Sequence, residues 1–202
     1  MNFLVVILSY LLGSINFAYI TARINGIDIS SRGSGNPGTS NVLRTLGKGS
    51  AAFVLFGDLL KGAIPIAFYY QDEYFLIYGL AAVVGHIYPL FYRFKGGKGV
   101  ATYLGAYIAT VFINPYNSDL LNLEIFQILN VPVLAFFYFV IFKTTRVSAI
   151  ASLATVLITV TILIYADNEI SNVVVVIVLF TLIFLKHSEN IKRLKEGKEN
   201  KF

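Results

Sequence analysis

Three separated stretches of the chain carry groups that could do chemistry. The first runs Arg32-Gly-Ser-Gly-Asn-Pro-Gly-Thr-Ser-Asn-Val-Leu-Arg44. Its glycines at 33, 35 and 38 let the backbone fold tightly and aim several N–H groups inward, a nest suited to an anion. Arg44 adds a fork-shaped cation that fits phosphate. As a bare pattern the stretch also reads as an ordinary turn. The second holds Gly85-His-Ile-Tyr-Pro-Leu-Phe91, then Phe94-Lys-Gly-Gly-Lys-Gly-Val-Ala-Thr102. Lys95 and Lys98 bracket Gly96 and Gly97, and a helix is expected to begin near Gly99. A glycine turn at a helix start is a natural phosphate site; the plainer reading is a basic loop on a membrane surface. The third is Lys186-His-Ser-Glu-Asn-Ile-Lys-Arg193. If that helix continues, His187 and Asn190 share a face. They would then pair a side chain able to act as a base near neutral pH with one able to orient a hydroxyl. The plainer reading is a surface histidine at a helix end.

Other chemistries are excluded or disfavoured. The chain has no cysteine, which rules out disulfides, thiolate zinc sites and cysteine nucleophiles. His86 and His187 are its two histidines, so a histidine-rich zinc cluster is not expected. Neither a Gly-x-Ser-x-Gly elbow nor a His-Glu-x-x-His motif occurs. Gly33-x-Gly35-x-x-Gly38 matches a dinucleotide fingerprint, but it follows an apolar helix and no βαβ unit is available. The Lys98 loop is not a Walker A loop, because no Ser or Thr follows the lysine. No metal or cofactor is expected.

The elements that must position these groups are membrane helices. Of the 202 residues 56% are hydrophobic and 13% charged, against about 25% charged in a soluble domain. A spanning helix needs about 20 mostly apolar residues. Candidate spans are Phe3–Ala22, Ser50–Tyr70, Tyr74–Tyr92, Val100–Ile113, Leu129–Phe142, Val147–Tyr165 and Ile170–Leu185. Phe3–Ala22 lacks a signal peptide's basic start and A-x-A-like exit, so it is read as a retained helix. The two 14-residue stretches, Val100–Ile113 and Leu129–Phe142, are either re-entrant or continue into their flanks, giving five spans or seven. The expectation is an all-α membrane protein of one domain, residues 1–202, with about seven transmembrane helices, its N-terminus outside and its C-terminus cytoplasmic. That topology puts 15 of the 16 Lys and Arg inside, with Lys61 in a span. Asp72, Glu73, Asp119, Glu124, Asp167 and Glu169 fall outside, the asymmetry of the positive-inside rule. The net charge of +5 is therefore assigned to the membrane surface and not to nucleic acid. Asn114–Asn130 is expected to include a short amphipathic helix at the outer interface.

Asp58 and Lys61 lie within Ser50–Tyr70. A charge at mid-helix costs about 2.5–3.5 kcal/mol on insertion scales. Three apart, the two share a face and can pair, either as a structural ion pair or as a substrate contact.

Taken together, Gly33-Ser-Gly-Asn-Pro-Gly with Asn41 and Arg44, Gly85-His86 with Pro89 and Phe91, Lys95-Gly-Gly-Lys-Gly-Val-Ala-Thr102, and Lys186-His187 with Asn190, Arg193, Leu194, Gly197 and Glu199 resemble the bacterial acyl-phosphate:glycerol-3-phosphate acyltransferases, the PlsY family. Asp58, Lys61 and Gly62 fit as well, and the motifs keep the family's order from the first helix to the tail. The His-x4-Asp motif of the common glycerolipid acyltransferases is missing. The resemblance implies a seven-span protein of the bacterial cytoplasmic membrane with its site on the cytoplasmic side. It implies transfer of a fatty acyl group from acyl phosphate to the 1-hydroxyl of glycerol 3-phosphate, giving lysophosphatidic acid and phosphate for phospholipid biosynthesis. By the same resemblance Ser34, Arg44, Lys98 and Ser148 would hold phosphate, and Gly96, Gly97 and Gly99 would shape the glycerol phosphate site, with Lys95, Asn41 and His86 in the same binding group. His187 and Asn190 would engage and orient the glycerol hydroxyls, and Glu199 would hold the tail. Implied partners are the two substrates, membrane lipid and the enzyme that makes acyl phosphate. The three segments are expected to meet beneath the lipid headgroups. The rival readings are a transporter or binding module for a phosphorylated solute, and a purely structural membrane partner.

Overall fold

The computed structural model describes residues 1–113, 120, 123–166 and 169–202. It is all-helical, with no strand among the described residues. The chain divides into two compact units, Met1–Ala106 and Tyr107–Phe202.

In the first unit, the expected single helix over Phe3–Ala22 is broken. Helix α1 runs Phe3–Ser14 and α2 runs Phe17–Ile24. Ile15 and Asn16 between them are extended. The break has a local cause: the Asn16 side chain accepts the Tyr19 N–H at 3.1 Å and so starts a new helix. Helix α3, Thr39–Tyr69, begins well before the expected Ser50. It holds a second break at Gly47, whose φ of 81° no helix accommodates. Helix α4, Phe75–Ile87, is followed by a short 3-10 turn, Leu90–Tyr92, and α5 occupies Val100–Ile113 as expected, its residues from Tyr107 onward belonging to the second unit. The α1–α4 contact is close: a Cβ on Gly13 would strike the Ala82 carbonyl, and one on Gly85 would strike the Tyr10 carbonyl. Small residues that let backbones meet are the usual means of packing helices in lipid. Around the α2–α3 contact, Ala18, Ala22, Ile29, Val42, Ala51 and Val54 form a buried apolar cluster.

In the second unit, α6 runs Glu124–Thr145, α7 Ser148–Ala166, α8 Ile170–Lys186 and α9 Ser188–Lys195. Leu129–Phe142 is therefore the middle of a 22-residue helix, about 33 Å long at 1.5 Å per residue, and long enough to cross. The helix does continue into its flanks. Ile125, Ile128 and Leu129 belong to this helix and not to a separate interfacial one. The remainder of that expected helix falls mainly on residues 114–119 and 121–122, outside the described residues. Asn130, buried near the start of α6, accepts the Tyr107 hydroxyl at 2.8 Å.

Among the described residues five stretches are long and apolar enough to cross a bilayer: Phe3–Ile24, Thr39–Tyr69, Phe75–Tyr92, Glu124–Thr145 and Ser148–Ala166. A sixth is added if α8 and α9, bent by 48°, count as one. At 14 residues α5 is about 21 Å long, short of a core about 30 Å thick.

Candidate functional site

The first glycine loop is built from its ends inward. Asp28 starts the turn Ile29–Ser31, accepting the Ser30 hydroxyl at 2.7 Å and the Ser30 N–H at 2.9 Å. Those two bonds hold its carboxyl below the usual carboxylate range. Ile29, fully buried, pins this end to the α2–α3 core. At the other end, Asn41 in the first turn of α3 is buried and spends its whole amide on the loop. Its Oδ1 accepts the Ser34 N–H at 2.9 Å, and its Nδ2 donates to the carbonyls of Arg32 at 2.9 Å and Ile29 at 3.3 Å. Asn41, grouped above with the phosphate contacts, is thus a clasp that shapes the loop. Gly33 and Gly35 take φ of 55° and 70°, where a side chain is strained. Ser34 and Arg44 are half-buried on either side of this helix start. The result is a tight turn delivering the chain into the N-terminus of α3, where helix amides and dipole favour an anion.

The second loop folds back over the end of α4. Arg93 and Phe94 both sit in the left-handed region, at φ of 54° and 59°, which reverses the chain. The Gly97 N–H donates to the His86 carbonyl at 3.2 Å. Helix α1 braces the turn: the Tyr10 hydroxyl donates to the Tyr88 carbonyl at 2.8 Å, and the Ser14 Oγ accepts the Leu90 N–H at 3.3 Å. Gly96 passes directly over the His86 carbonyl, and Gly97 over the His86 ring, so neither position has room for a Cβ. Gly99, at φ 84°, opens α5. Lys95 is exposed, whereas Lys98 is half-buried at the helix start. The position a Gly97 Cβ would take lies 3.1 Å from the Pro37 carbonyl, so the two glycine loops touch. Two of the three expected segments are therefore brought together, each leading into a helix N-terminus.

His86, also grouped with the phosphate contacts, is buried beneath this turn beside Asp58 and Lys61. Asp58 and Lys61 pair at 2.8 Å, so they do form an ion pair. Lys61 Nζ also donates to the Ile15 carbonyl, 2.8 Å away, which the α1–α2 break leaves without a helical partner. Sequence reasoning missed Ile15. Its one signal is Asn16, a capping residue inside an apolar run.

The third segment and Ser148 lie in the second unit. The condition that the helix continue past His187 is not met: His187 ends α8, and α9 starts at Ser188 after the 48° bend. His187 is buried, and its Nδ1 lies 2.8 Å from the Ile183 carbonyl. A carbonyl only accepts, so Nδ1 carries the proton and Nε2 is the ring's basic nitrogen. Asn190 Nδ2 donates to Glu199 Oε1 at 2.8 Å, and Arg193 Nε donates to Glu199 Oε2 at 2.9 Å. Arg193 as the second partner of Glu199 was not foreseen. The tail continues to Phe202, whose N–H donates to the Arg146 carbonyl at 3.0 Å and whose ring packs edge-on against Phe142. Arg146, at φ 59°, ends α6 two residues before Ser148, which is half-buried in the first turn of α7. The tail thus ties the His187 region to the Ser148 turn. Among the described residues no three His, Asp or Glu side chains come together in a group that could hold a metal ion.

Comparisons with known proteins place the chain among membrane acyltransferases. The family model for glycerol-3-phosphate acyltransferase matches residues 3–197. Glycerol-3-phosphate acyltransferases of Wolbachia pipientis (strain wPip) and Aquifex aeolicus are each 38% identical to the chain. The first alignment covers 100% of this chain and 98% of the relative, the second 98% and 97%. The crystal structure of PlsY (YgiH), an integral membrane glycerol 3-phosphate acyltransferase, in its glycerol 3-phosphate form superposes with a TM-score of 0.84. It is 36% identical, over 99% of this chain and 94% of that one. The lysophosphatidic acid form gives 0.76 at 37% identity. With the family match running over residues 3–197 and relatives 38% identical over nearly the whole chain, the chain belongs to the glycerol-3-phosphate acyltransferase family.

Proposed function

We propose that the protein transfers a fatty acyl group from acyl phosphate to the 1-hydroxyl of glycerol 3-phosphate, releasing lysophosphatidic acid and inorganic phosphate. The observation that carries this reading is the family match over residues 3–197 of a chain whose two glycine loops meet at two helix N-termini. Both substrates are anionic at the head, and amide nests with nearby cations offset the repulsion between them. The donor's alkyl tail gains about 0.8 kcal/mol per buried CH₂, which favours a site next to lipid.

In the step proposed, the glycerol C1 oxygen attacks the acyl carbonyl carbon. The bond from that carbon to the phosphate oxygen breaks, and phosphate leaves with the electron pair. The hydroxyl proton passes to His187 Nε2 or to a phosphate oxygen of a substrate. Because the donor is already activated, positioning and oxyanion stabilisation supply most of the acceleration. Ser34, Arg44, Lys98 and Ser148 hold phosphate groups. Gly96, Gly97 and Gly99, with Lys95, shape the glycerol phosphate site. His187 and Asn190 engage the glycerol hydroxyls, and Glu199 holds the tail.

The proposed setting is the bacterial cytoplasmic membrane, with seven spans, the N-terminus outside, the C-terminus cytoplasmic and the site facing the cytoplasm. The basic residues of the three segments support that orientation, and the span of the family match supports one acyltransferase domain over residues 1–202. The enzyme that supplies acyl phosphate is the proposed partner. Purified protein given acyl phosphate and labelled glycerol 3-phosphate should form labelled lysophosphatidic acid. His187→Ala and Arg44→Ala should each lower this by about 100-fold or more while still inserting in the membrane. Uptake of labelled glycerol phosphate into liposomes with no transfer would point to a transporter instead.

A further inference from the structure

Asp58, Lys61 and His86 are buried in the first unit. Asp58 and Lys61 are 2.8 Å apart, and Lys61 donates to the Ile15 carbonyl at 2.8 Å. His86 Nδ1 lies 3.5 Å from the Asp58 carboxylate, too long for a good hydrogen bond but close enough to seat that edge of the ring beside the ion pair. The opposite edge of the same ring, at Nε2, faces Gly97, and the His86 carbonyl accepts the Gly97 N–H at 3.2 Å. Gly97 in turn approaches the Pro37 carbonyl. An unbroken line of contacts thus leads from the α1 break through Lys61, Asp58 and His86 to the place where the two glycine loops meet.

Stability alone gives little reason to keep such a line. Apolar residues of similar volume commonly hold a core as well as a buried ion pair does, or better. Lipid makes retaining the pair costlier still. What apolar residues would not supply is a fixed seat for the His86 ring, with its carboxylate on one edge and Gly97 on the other. We infer that Asp58, Lys61 and His86 are positioning residues that set the seat of the Gly96–Gly99 turn, and with it the placement of Lys98 and the first amides of α5 on a phosphate ester. They act through the turn and not by contact with the substrate. This inference rests on the acyl-transfer reading above.

The test is the double variant Asp58→Asn/Lys61→Met, which removes both charges and leaves neither unpaired. Wild-type turnover tests the acyl-transfer reading by itself; the ratio of variant to wild-type KM for glycerol 3-phosphate tests the positioning. The expected result is a KM raised tenfold or more, equivalent to about 1.4 kcal/mol. Thermal stability in detergent should be kept, and kcat should stay within about threefold. An unchanged KM in the folded variant overturns the inference, and so does a loss of stability and kcat with KM unmoved. If the double variant does not insert, His86→Gln, which leaves the ion pair whole, carries the same expected rise in KM. An unchanged KM there also overturns the inference.

Discussion

The two glycine loops of the first unit and the tail of the second are built on opposite plans. The loops are shaped mainly by backbone: left-handed glycines set their turns, the Asn41 side chain clasps the first, and the Tyr10 and Ser14 side chains brace the second. The tail is a side-chain construction in which Glu199 is gripped by Asn190 and Arg193, and the His187 ring is held against the Ile183 carbonyl. A backbone site is lost when any atom is added to it. A side-chain site is lost when its charge or hydrogen-bond pattern is altered.

The largest expected effect falls on the tail. His187→Ala should cut turnover by about 10²–10⁴-fold, the range for removing a positioned base, as read by phosphate release. A residual rate near wild type would assign the proton to a substrate oxygen. Next comes the second loop. Gly97→Ala drives a methyl into the His86 ring and the Pro37 carbonyl, and a displaced turn should lower kcat/KM by about 100-fold. A tolerated alanine there would break the distinction between the two plans.

The Asn41 clasp should have a smaller effect. Asn41→Ala strips a partner from the Ser34 N–H and from two carbonyls, costing about 1–3 kcal/mol for groups left unsatisfied. Faster hydrogen exchange should then be confined to residues 29–38. Glu199→Gln keeps shape and removes charge, so the bond to Arg193 should weaken by about 1 kcal/mol, visible as earlier proteolysis after residue 195.

The smallest expected effect is a pH dependence at Asp28. Its folded pKa is depressed by the Ser30 hydroxyl and amide, so its contribution is present above the unfolded value, about 3.9. It is lost as pH falls through the lower folded value. Asp28→Asn should remove that pH dependence from the order of the first loop, followed by hydrogen exchange.

These plans also decide what the sequence reveals. The loops leave a mark because left-handed backbone calls for glycine, so Gly33, Gly35 and Gly99 announce the turns. Contact between the loops leaves none, since Pro37 and Gly97 meet through backbone atoms. The α1 break was missed because the group it exposes, the Ile15 carbonyl, has no residue signature. The bend at His187 was missed because neither Gly nor Pro marks it. Helix α6 begins before the expected Leu129 because Glu124, Gln127 and Asn130 interrupt its apolar run without ending the helix. The identity of the reaction was legible through the family motifs and not through periodicity, since hydropathy reports the solvent of a helix and says nothing of its chemistry.

The most direct measurement is donor use: purified protein with labelled glycerol 3-phosphate, given either acyl phosphate or acyl-CoA of the same chain length. The expected result is one phosphate released for each lysophosphatidic acid formed from acyl phosphate, and no product from acyl-CoA. Equal use of acyl-CoA, or phosphate release without acylated glycerol phosphate, would contradict the assignment.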